Sequence, residues 1–334
     1  MPDPILEVNQ LVKQYPLPQG WLRTLRKLPV RKVHAVDSVS FHLDQGKILA
    51  LVGESGSGKT TTGLCTLGLV EPTSGEVIID GENVFEIAQG SGWKKLRRKA
   101  QMIFQDPYES LNPRQTVYQA VSEPLQVHHL TENRQNQLER VTEALEDAGL
   151  KPAADYLDRF PQELSGGQRQ RVVIASALVM NPRFLVADEP VSMLDVSIRA
   201  EILNLLLRLR DEHQITMLYI THDLASAAYI ADQVAVMYLG AIVESGPVET
   251  VLKNPRHPYT KALLSVIPSS KRDQRREKTI LRGETPNPIE MPSGCRFHPR
   301  CPAAVDECAI QEPQLKIAGA DHQVACLLVE QGLI

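Results

Sequence analysis

Residues 53–60 read Gly-Glu-Ser-Gly-Ser-Gly-Lys-Thr, the Gly-x-x-x-x-Gly-Lys-Thr spacing of a loop that wraps a nucleotide's phosphates. Gly53, Gly56 and Gly58 let successive backbone N–H groups converge on phosphate oxygens, and the N-terminus of the following helix adds a favourable dipole. Lys59 neutralises β- and γ-phosphates in such a loop, the Thr60 hydroxyl ligates Mg²⁺, and Ser55 and Thr61 complete the expected phosphate contacts. Hydrolysing a nucleotide then needs a metal and an aligned water, with little covalent work for the protein. Asp188 and Glu189 end an apolar run and suit those tasks: Asp188 to hold Mg²⁺, and Glu189 to polarise water as general base. Gln105 is placed to ligate the metal and sense the γ-phosphate, and His222 to hydrogen-bond that phosphate. A lone Gln or His is more often an ordinary surface residue, so these two gain weight only from the combination.

The elements that must position these groups are legible from periodicity. Residues 5–12 and 34–52 read as strands, the second ending in the continuous apolar run 47–52 that leads into the glycine loop. Tyr15 closes the first strand, where it either stacks on an adenine ring or joins the core. Thr73-Ser74-Gly75 reads as a turn before a strand at 76–79, and Lys94–Lys99 as a solvated basic helix face. Met102-Ile103-Phe104 reads as a strand delivering Gln105, followed by a Pro/Asn/Asp-rich loop at 106–115. A helical region begins at 131–150, with Leu138, Val141, Leu145 and Ala148 on one face and Gly149 as its C-cap. Leu164-Ser165-Gly166-Gly167-Gln168 is a second glycine-rich helix start, and Asp195 is placed to cap an amphipathic helix over 196–210. Strands at 183–188 and 216–220 deliver Asp188, Glu189 and His222 at their C-terminal ends, where open parallel sheets place ligand-binding residues.

A length of 334 residues suggests about two domains, and a net charge of −4 gives no reason to expect nucleic acid as a partner. The N-terminus reads as no signal peptide, and no apolar run approaches the roughly 18 residues needed to cross a bilayer. Cys65 lies alone as a buried thiol, whereas Cys295, Cys301, Cys308 and Cys326 crowd the last forty residues. Before them lies a basic linker with Lys271, Arg272, Arg275, Arg276 and Lys278. Four cysteines in a small module of a cytosolic protein indicate a metal site rather than disulfides. Four thiolates suit a [4Fe–4S] cluster or structural Zn²⁺, with unmetallated thiols as the third reading; the spacing lacks the Cys-x₂-Cys pairs typical of zinc ribbons. His298 and His322 are spare ligands that a four-cysteine set does not need.

Tyr15, Gly53–Thr60, Gln105, Leu164–Gln168, Phe184–Glu189, Ser192-Met193-Leu194-Asp195 and His222 occur in the order of an ABC-type ATPase, which the chain resembles over residues 5–260. They look like that family's adenine-stacking loop, phosphate loop, Q-loop, signature, Walker B strand with its catalytic Glu, D-loop and switch His. Met193 departs from the Ala that is commoner in the D-loop. The resemblance implies a RecA-like α/β core with an antiparallel β lobe and a helical subdomain at about 107–178. It also implies a head-to-tail dimer in which Ser165, Gly166, Gly167, Gln168 and Asp195 of one chain complete the ATP site of the other.

A second resemblance covers the tail: residues 254–268, Gly283-Glu284-Thr285-Pro286 and Pro292–Cys301, with the insertion at 16–32, are similar to the dipeptide/oligopeptide (and nickel) importer ATPases. That branch implies an ATPase domain at 1–260, a C-terminal extension at 261–334, and ATP with Mg²⁺ as ligands; some members carry an iron–sulfur cluster. It implies as partners a second homologous ATPase, two membrane permease subunits and an extracytoplasmic substrate-binding protein, with the chain peripheral on the cytoplasmic face of the membrane. The loop 106–115 and the helical subdomain would receive the permeases' coupling helices. The cargo (dipeptides, longer peptides, nickel chelates or another small solute) is not written in this chain. A soluble ABC ATPase of repair or translation is the rival class, and the chain has neither the long coiled coil nor the second cassette that such forms carry.

Overall fold

The computed structural model describes residues 4–18, 30–87, 92–266, 281, 283–319 and 321–334; most of the expected loop at 16–32, including Trp21, and the basic linker at 271–278 lie outside them. The described strands are β1 (Leu6–Pro16), β2 (Lys32–Leu43), β3 (Ile48–Val52), β4 (Ser74–Ile79), β5 (Glu82–Asn83), β6 (Ala100–Ile103), β7 (Phe184–Asp188), β8 (Thr216–Thr221), β9 (Gln233–Tyr238), β10 (Ala241–Pro247), β11 (Lys316–Gly319) and β12 (His322–Val324). The chain forms two compact units, one chiefly from Leu43–Ile48 and Ile79–Ile220, the other from Glu7–His42, Leu49–Ile78 and Thr221–Ile334.

In the first unit β6, β7 and β8 run parallel and in register, Ala187 beside both Ile103 and Tyr219. Every residue of β7 and β8 is buried, the continuous apolar signature of a parallel strand covered on both faces. Helices Val117–Val127, Arg134–Asp147 and Gly166–Leu178 pack on one another within the span expected to be helical. The expected helix from 131 starts at Arg134, because the Asn133 side chain caps it by accepting from the Asn136 N–H. At its end Gly149 takes φ 80° and returns its N–H to Glu146, as the sequence predicts. The strand expected over 102–104 lies at Ala100–Ile103 and leaves Phe104 exposed. Inside the loop 106–115, Asp106 caps a single helical turn, Pro107–Ser110.

In the second unit β2, β1 and β4 form one sheet. The turn expected at 73–75 is strand from Ser74 onward; a Cβ on Gly75 would lie 2.4 Å from the Gln10 carbonyl oxygen, so this glycine serves close strand approach. The other sheet runs β3-β9-β10-β12-β11, with β3 parallel to β9 and the remaining pairs antiparallel. The tail strand β12 therefore adds to the edge of β10, Glu244 opposite Val324, and continues the sheet whose β3 leads into the glycine loop. Phe297 of the tail sits edge-on to Tyr238 at 5.2 Å between centroids and 5.4 Å from Tyr259, three rings that are all fully buried.

His257 caps helix Pro258–Ser265 by accepting the Tyr259 N–H at 3.1 Å, and burial drives its ring down to about 4, against the opposing pull of Glu244. The unfolded chain titrates near 6.5, so between pH 6.5 and 4 it holds more protons than the folded one. His257 thus contributes stability that is full above about pH 6.5 and is lost as pH falls towards 4. Hydrogen exchange in helix Pro258–Ser265 at pH 7.5 and pH 5, corrected for intrinsic exchange, should show wild type losing about 2 kcal/mol more protection than His257→Asn, which keeps an acceptor for the cap. Equal losses in the two proteins would refute this assignment.

Candidate functional site

The glycine loop joins β3 to helix Lys59–Thr66. Gly58 holds φ 104°, and a Cβ there would stand 2.1 Å from the Ala35 carbonyl oxygen, so no larger residue fits. No side chain caps this helix, which leaves its N-terminus to the loop. The ammonium of Lys59 is buried inside the loop, donating to the carbonyls of Gly53 and Glu54 at 2.8 Å each and to Ser57 Oγ at 3.4 Å. Ser55, Gly56 and Thr60 form the loop's exposed rim, with Thr61 half-buried behind it. Tyr15 is 37% exposed, with Lys13 Nζ 4.8 Å from its ring centre. Burial and the nearby Cys65 thiol raise its hydroxyl's pKa, opposed by a hydrogen bond with Thr61, so the structure does bring Tyr15 to the phosphate-loop helix.

In the first unit Asp188 ends β7 and is 4% exposed. Glu189 follows with φ 45°, its N–H donating to the Ile220 carbonyl and its own carbonyl accepting from Ser192. Gln105 Nε2 donates to Glu189 Oε2 at 3.2 Å, so two of the expected catalytic residues are in direct contact. The signature Ser165–Gln168 opens helix Gly166–Leu178 with a capping box: Ser165 Oγ accepts the Gln168 N–H, and Gln168 Oε1 accepts the Ser165 N–H. Asp195 holds the N-cap position of helix Val196–His213, but its side chain makes no capping bond, contrary to expectation; it is exposed instead. In the second unit His222 is exposed just beyond β8.

One residue of the loop was read from sequence only as a variable position. The Glu54 carboxylate receives two Arg300 bonds, Nη1 to Oε2 at 2.8 Å and Nη2 to Oε1 at 3.2 Å, and the Thr285 hydroxyl at 2.7 Å. Its backbone N–H donates to the Tyr259 hydroxyl at 2.9 Å. Burial alone would raise the Glu54 carboxyl, but the Arg300 and Thr285 hydrogen bonds and the charges of Arg300 and Lys59 hold it below its usual range. The only sequence signal was an acidic residue inside a loop built to bind anions.

Cys295, Cys301, Cys308 and Cys326 are free thiols of one neighbourhood. Burial, with the other three cysteines adding, pushes Cys295 up to about 11, and Cys301 and Cys326 are raised by burial too. Among the described residues, however, no three His, Cys, Asp or Glu stand as a group able to hold a metal ion. The expected [4Fe–4S] or Zn²⁺ shell is therefore not assembled: Cys326 packs with Val324 and Leu328 in a small apolar cluster. The two spare histidines are otherwise engaged, His298 Nδ1 with the Cys295 carbonyl at 2.9 Å and His322 Nε2 with Glu244 at 2.8 Å. Taken singly, the residues expected to hold Mg²⁺ are oxygen donors of the kind that suits a hard cation: in the first unit the buried Asp188 carboxylate and the Gln105 amide, in the second the Thr60 hydroxyl.

Residues 36–192 match the ABC transporter family, and residues 243–308 match the oligopeptide/dipeptide transporter C-terminal region. The chain is 43% identical over 328 residues to the oligopeptide transport ATP-binding protein AppF of Bacillus subtilis, covering 98% of each. It is 44% identical over 326 residues to the probable peptide ABC transporter ATP-binding protein y4tS of Sinorhizobium fredii, covering 98% of this chain and 90% of that one. Among solved structures, the dimeric post-hydrolysis state of the ATP-binding cassette MJ0796 bound to ADP and Pi aligns with TM-score 0.63 and 27% identity, over 73% of this chain and 98% of that one. CbiO1 of Clostridium perfringens, part of an ABC transporter complex, aligns with TM-score 0.63 and 30% identity, over 75% and 92%. The fold is that of an ABC ATPase cassette, a mixed α/β P-loop architecture. This chain belongs to the ATP-binding subunits of ABC transporters, in the branch that carries the oligopeptide/dipeptide transporter C-terminal region.

Proposed function

We propose that this chain hydrolyses ATP to drive the import of di- and oligopeptides through a membrane complex. The observation that carries the reading is one chain holding both an intact phosphate loop with a buried Lys59 and the peptide-transporter C-terminal region, at 43–46% identity to peptide-import relatives along nearly its whole length. Lys59 and the loop amides bind the β- and γ-phosphates, and Tyr15 flanks the adenine. Thr60, Asp188 and Gln105 are the residues to hold Mg²⁺, which when bound shields the phosphate charge. Glu189 takes a proton from the attacking water, whose oxygen bonds the γ-phosphorus as the bond to the ADP oxygen breaks; ADP and phosphate leave. His222 steadies the γ-phosphate, and Ser165–Gln168 and Asp195 serve the site of the opposite ATPase.

The partners of this reading are a second, homologous ATPase, two permease subunits and an extracytoplasmic binding protein, with the chain on the cytoplasmic face. No helix among the described residues is long and apolar enough to cross a membrane; in this reading the permeases hold the chain at the membrane. Exposed Phe104 and Tyr108, the latter stacked by Arg169 at 4.3 Å, offer them an apolar footing beside the loop 106–115. For the tail, the [4Fe–4S] reading rests on the four-cysteine set and on the resemblance to a branch some of whose members carry the cluster; iron, sulfide and zinc analysis of protein purified without air decides among cluster, zinc and thiols.

Proteoliposomes holding the assembled complex and its binding protein test the function. Labelled peptide should accumulate only with ATP, and peptide should raise ATP turnover several-fold. A chain that stays soluble in cells containing all its operon partners would sink the reading.

A further inference from the structure

Glu54 is an acidic side chain on a loop whose task, under the function proposed above, is to receive a polyanion. Left alone, its charge opposes every phosphate brought to the loop, and the loss grows as the site is desolvated. The C-terminal extension meets that charge with a two-pronged guanidinium, Arg300 Nη1 and Nη2 on the two carboxylate oxygens at 2.8 and 3.2 Å. The Arg300 side chain is 9% exposed and that of Glu54 27%, so solvent screens this pair poorly. Thr285 donates to the same carboxylate, Tyr259 accepts the Glu54 N–H, and the Glu54 carbonyl takes Lys59 Nζ. One loop residue is thus held through side chain and backbone by groups more than 200 positions further along the chain, and it in turn holds the phosphate-binding lysine.

We infer that Arg300 is a positioning residue of the nucleotide site: it cancels the Glu54 charge and sets the loop's shape, so that the C-terminal extension tunes the affinity of the phosphate loop for ATP. Arg300 touches no reacting atom; it acts through Glu54. This role differs from that of a structural staple, because it makes the effect depend on charge. Removing the arginine strands a carboxylate beside the phosphates; removing both charges does not.

The test is steady-state ATP hydrolysis by the assembled transporter carrying Arg300→Met, Glu54→Gln or both, with ATP as the probe. Arg300→Met should raise the KM for ATP by about tenfold while kcat stays within about twofold. The double variant should return KM to within about threefold of wild type, and Arg300→Lys should rescue only in part, since an ammonium cannot grip both oxygens. Should Arg300→Met not assemble, Thr285→Val on the exposed side of the pair is the second probe, with KM expected to rise about twofold. An unchanged KM in Arg300→Met, or in Thr285→Val if that is the one that assembles, overturns the inference. A double variant no better than Arg300→Met also overturns it and leaves a staple. A wild-type complex that binds no ATP brings down the proposed function itself, and the inference with it.

Discussion

Glu189→Gln in the assembled transporter is expected to lower the kcat for ATP hydrolysis by about 10²–10³-fold while leaving ATP binding intact, so that nucleotide stays trapped and peptide uptake stops. The carboxylate is placed for this by two independent devices. Its backbone is tied to Ile220 on one side and to Ser192 on the other, in a left-handed conformation uncommon for Glu. Its side chain is aimed by Gln105, whose Nε2 donates to Oε2. Gln at 189 keeps the size and the hydrogen-bonding reach but not the basicity, so the chemical step falls and the binding step does not. Single-turnover hydrolysis together with retention of labelled ATP reads both. A variant that turns over at the wild-type rate would place the general base elsewhere.

The second large effect is on stability. Glu244 is fully buried and answers three donors from two stretches of chain: the N–H groups of Arg256 and His257 at 2.7 and 3.1 Å, and His322 Nε2 at 2.8 Å. Glu244→Ala removes the shared acceptor and leaves two amides and an imidazole buried without it, at a cost of about 3–5 kcal/mol. Glu244→Gln keeps one acceptor oxygen and should cost about 1–2 kcal/mol. Hydrogen exchange resolves the outcome by segment, which matters in a chain of two units, where one melting temperature is ill-defined. Protection should fall first in β10, β12 and helix Pro258–Ser265. Unchanged protection in Glu244→Ala would show that the network is not what anchors the tail.

The site was legible where chemistry and local geometry coincide in a few consecutive residues. Gly53–Thr60 could be read because the glycines, the lysine and the helix start must be contiguous, and Asp188–Glu189 because an apolar run of strand length ends there. Val141, Leu145 and Ala148 were legible because helical periodicity survives in them, and all three are buried. What local pattern could not carry was anything joined across long separations. Arg300 stands 246 positions from Glu54 and His322 stands 78 from Glu244, so neither pairing leaves a trace in spacing. The tail read as an appended module because its composition changes, and composition says nothing of β12 pairing with β10. Gly75 was read as part of a turn because its positive φ of 94° is what a turn glycine also supplies; here that backbone lies inside β4, close against Gln10, which local pattern does not show. The cysteine spacing spoke of thiols in one neighbourhood, which the structure has, and not of their arrangement around an ion.

The pairing of β10 with β12 also bears on the order of events during synthesis. Glu244 leaves the ribosome about 80 residues before Val324, the strand partner opposite it. At roughly 5–20 residues per second, that is a wait of about 4–16 s. Throughout it, β10 carries an open edge and an acid without the histidine that will cover it, while the residues before 244 are already free to fold. The nascent chain therefore passes through a state whose glycine loop exists but whose Glu54 still lacks its arginine, and only the arrival of the tail completes it.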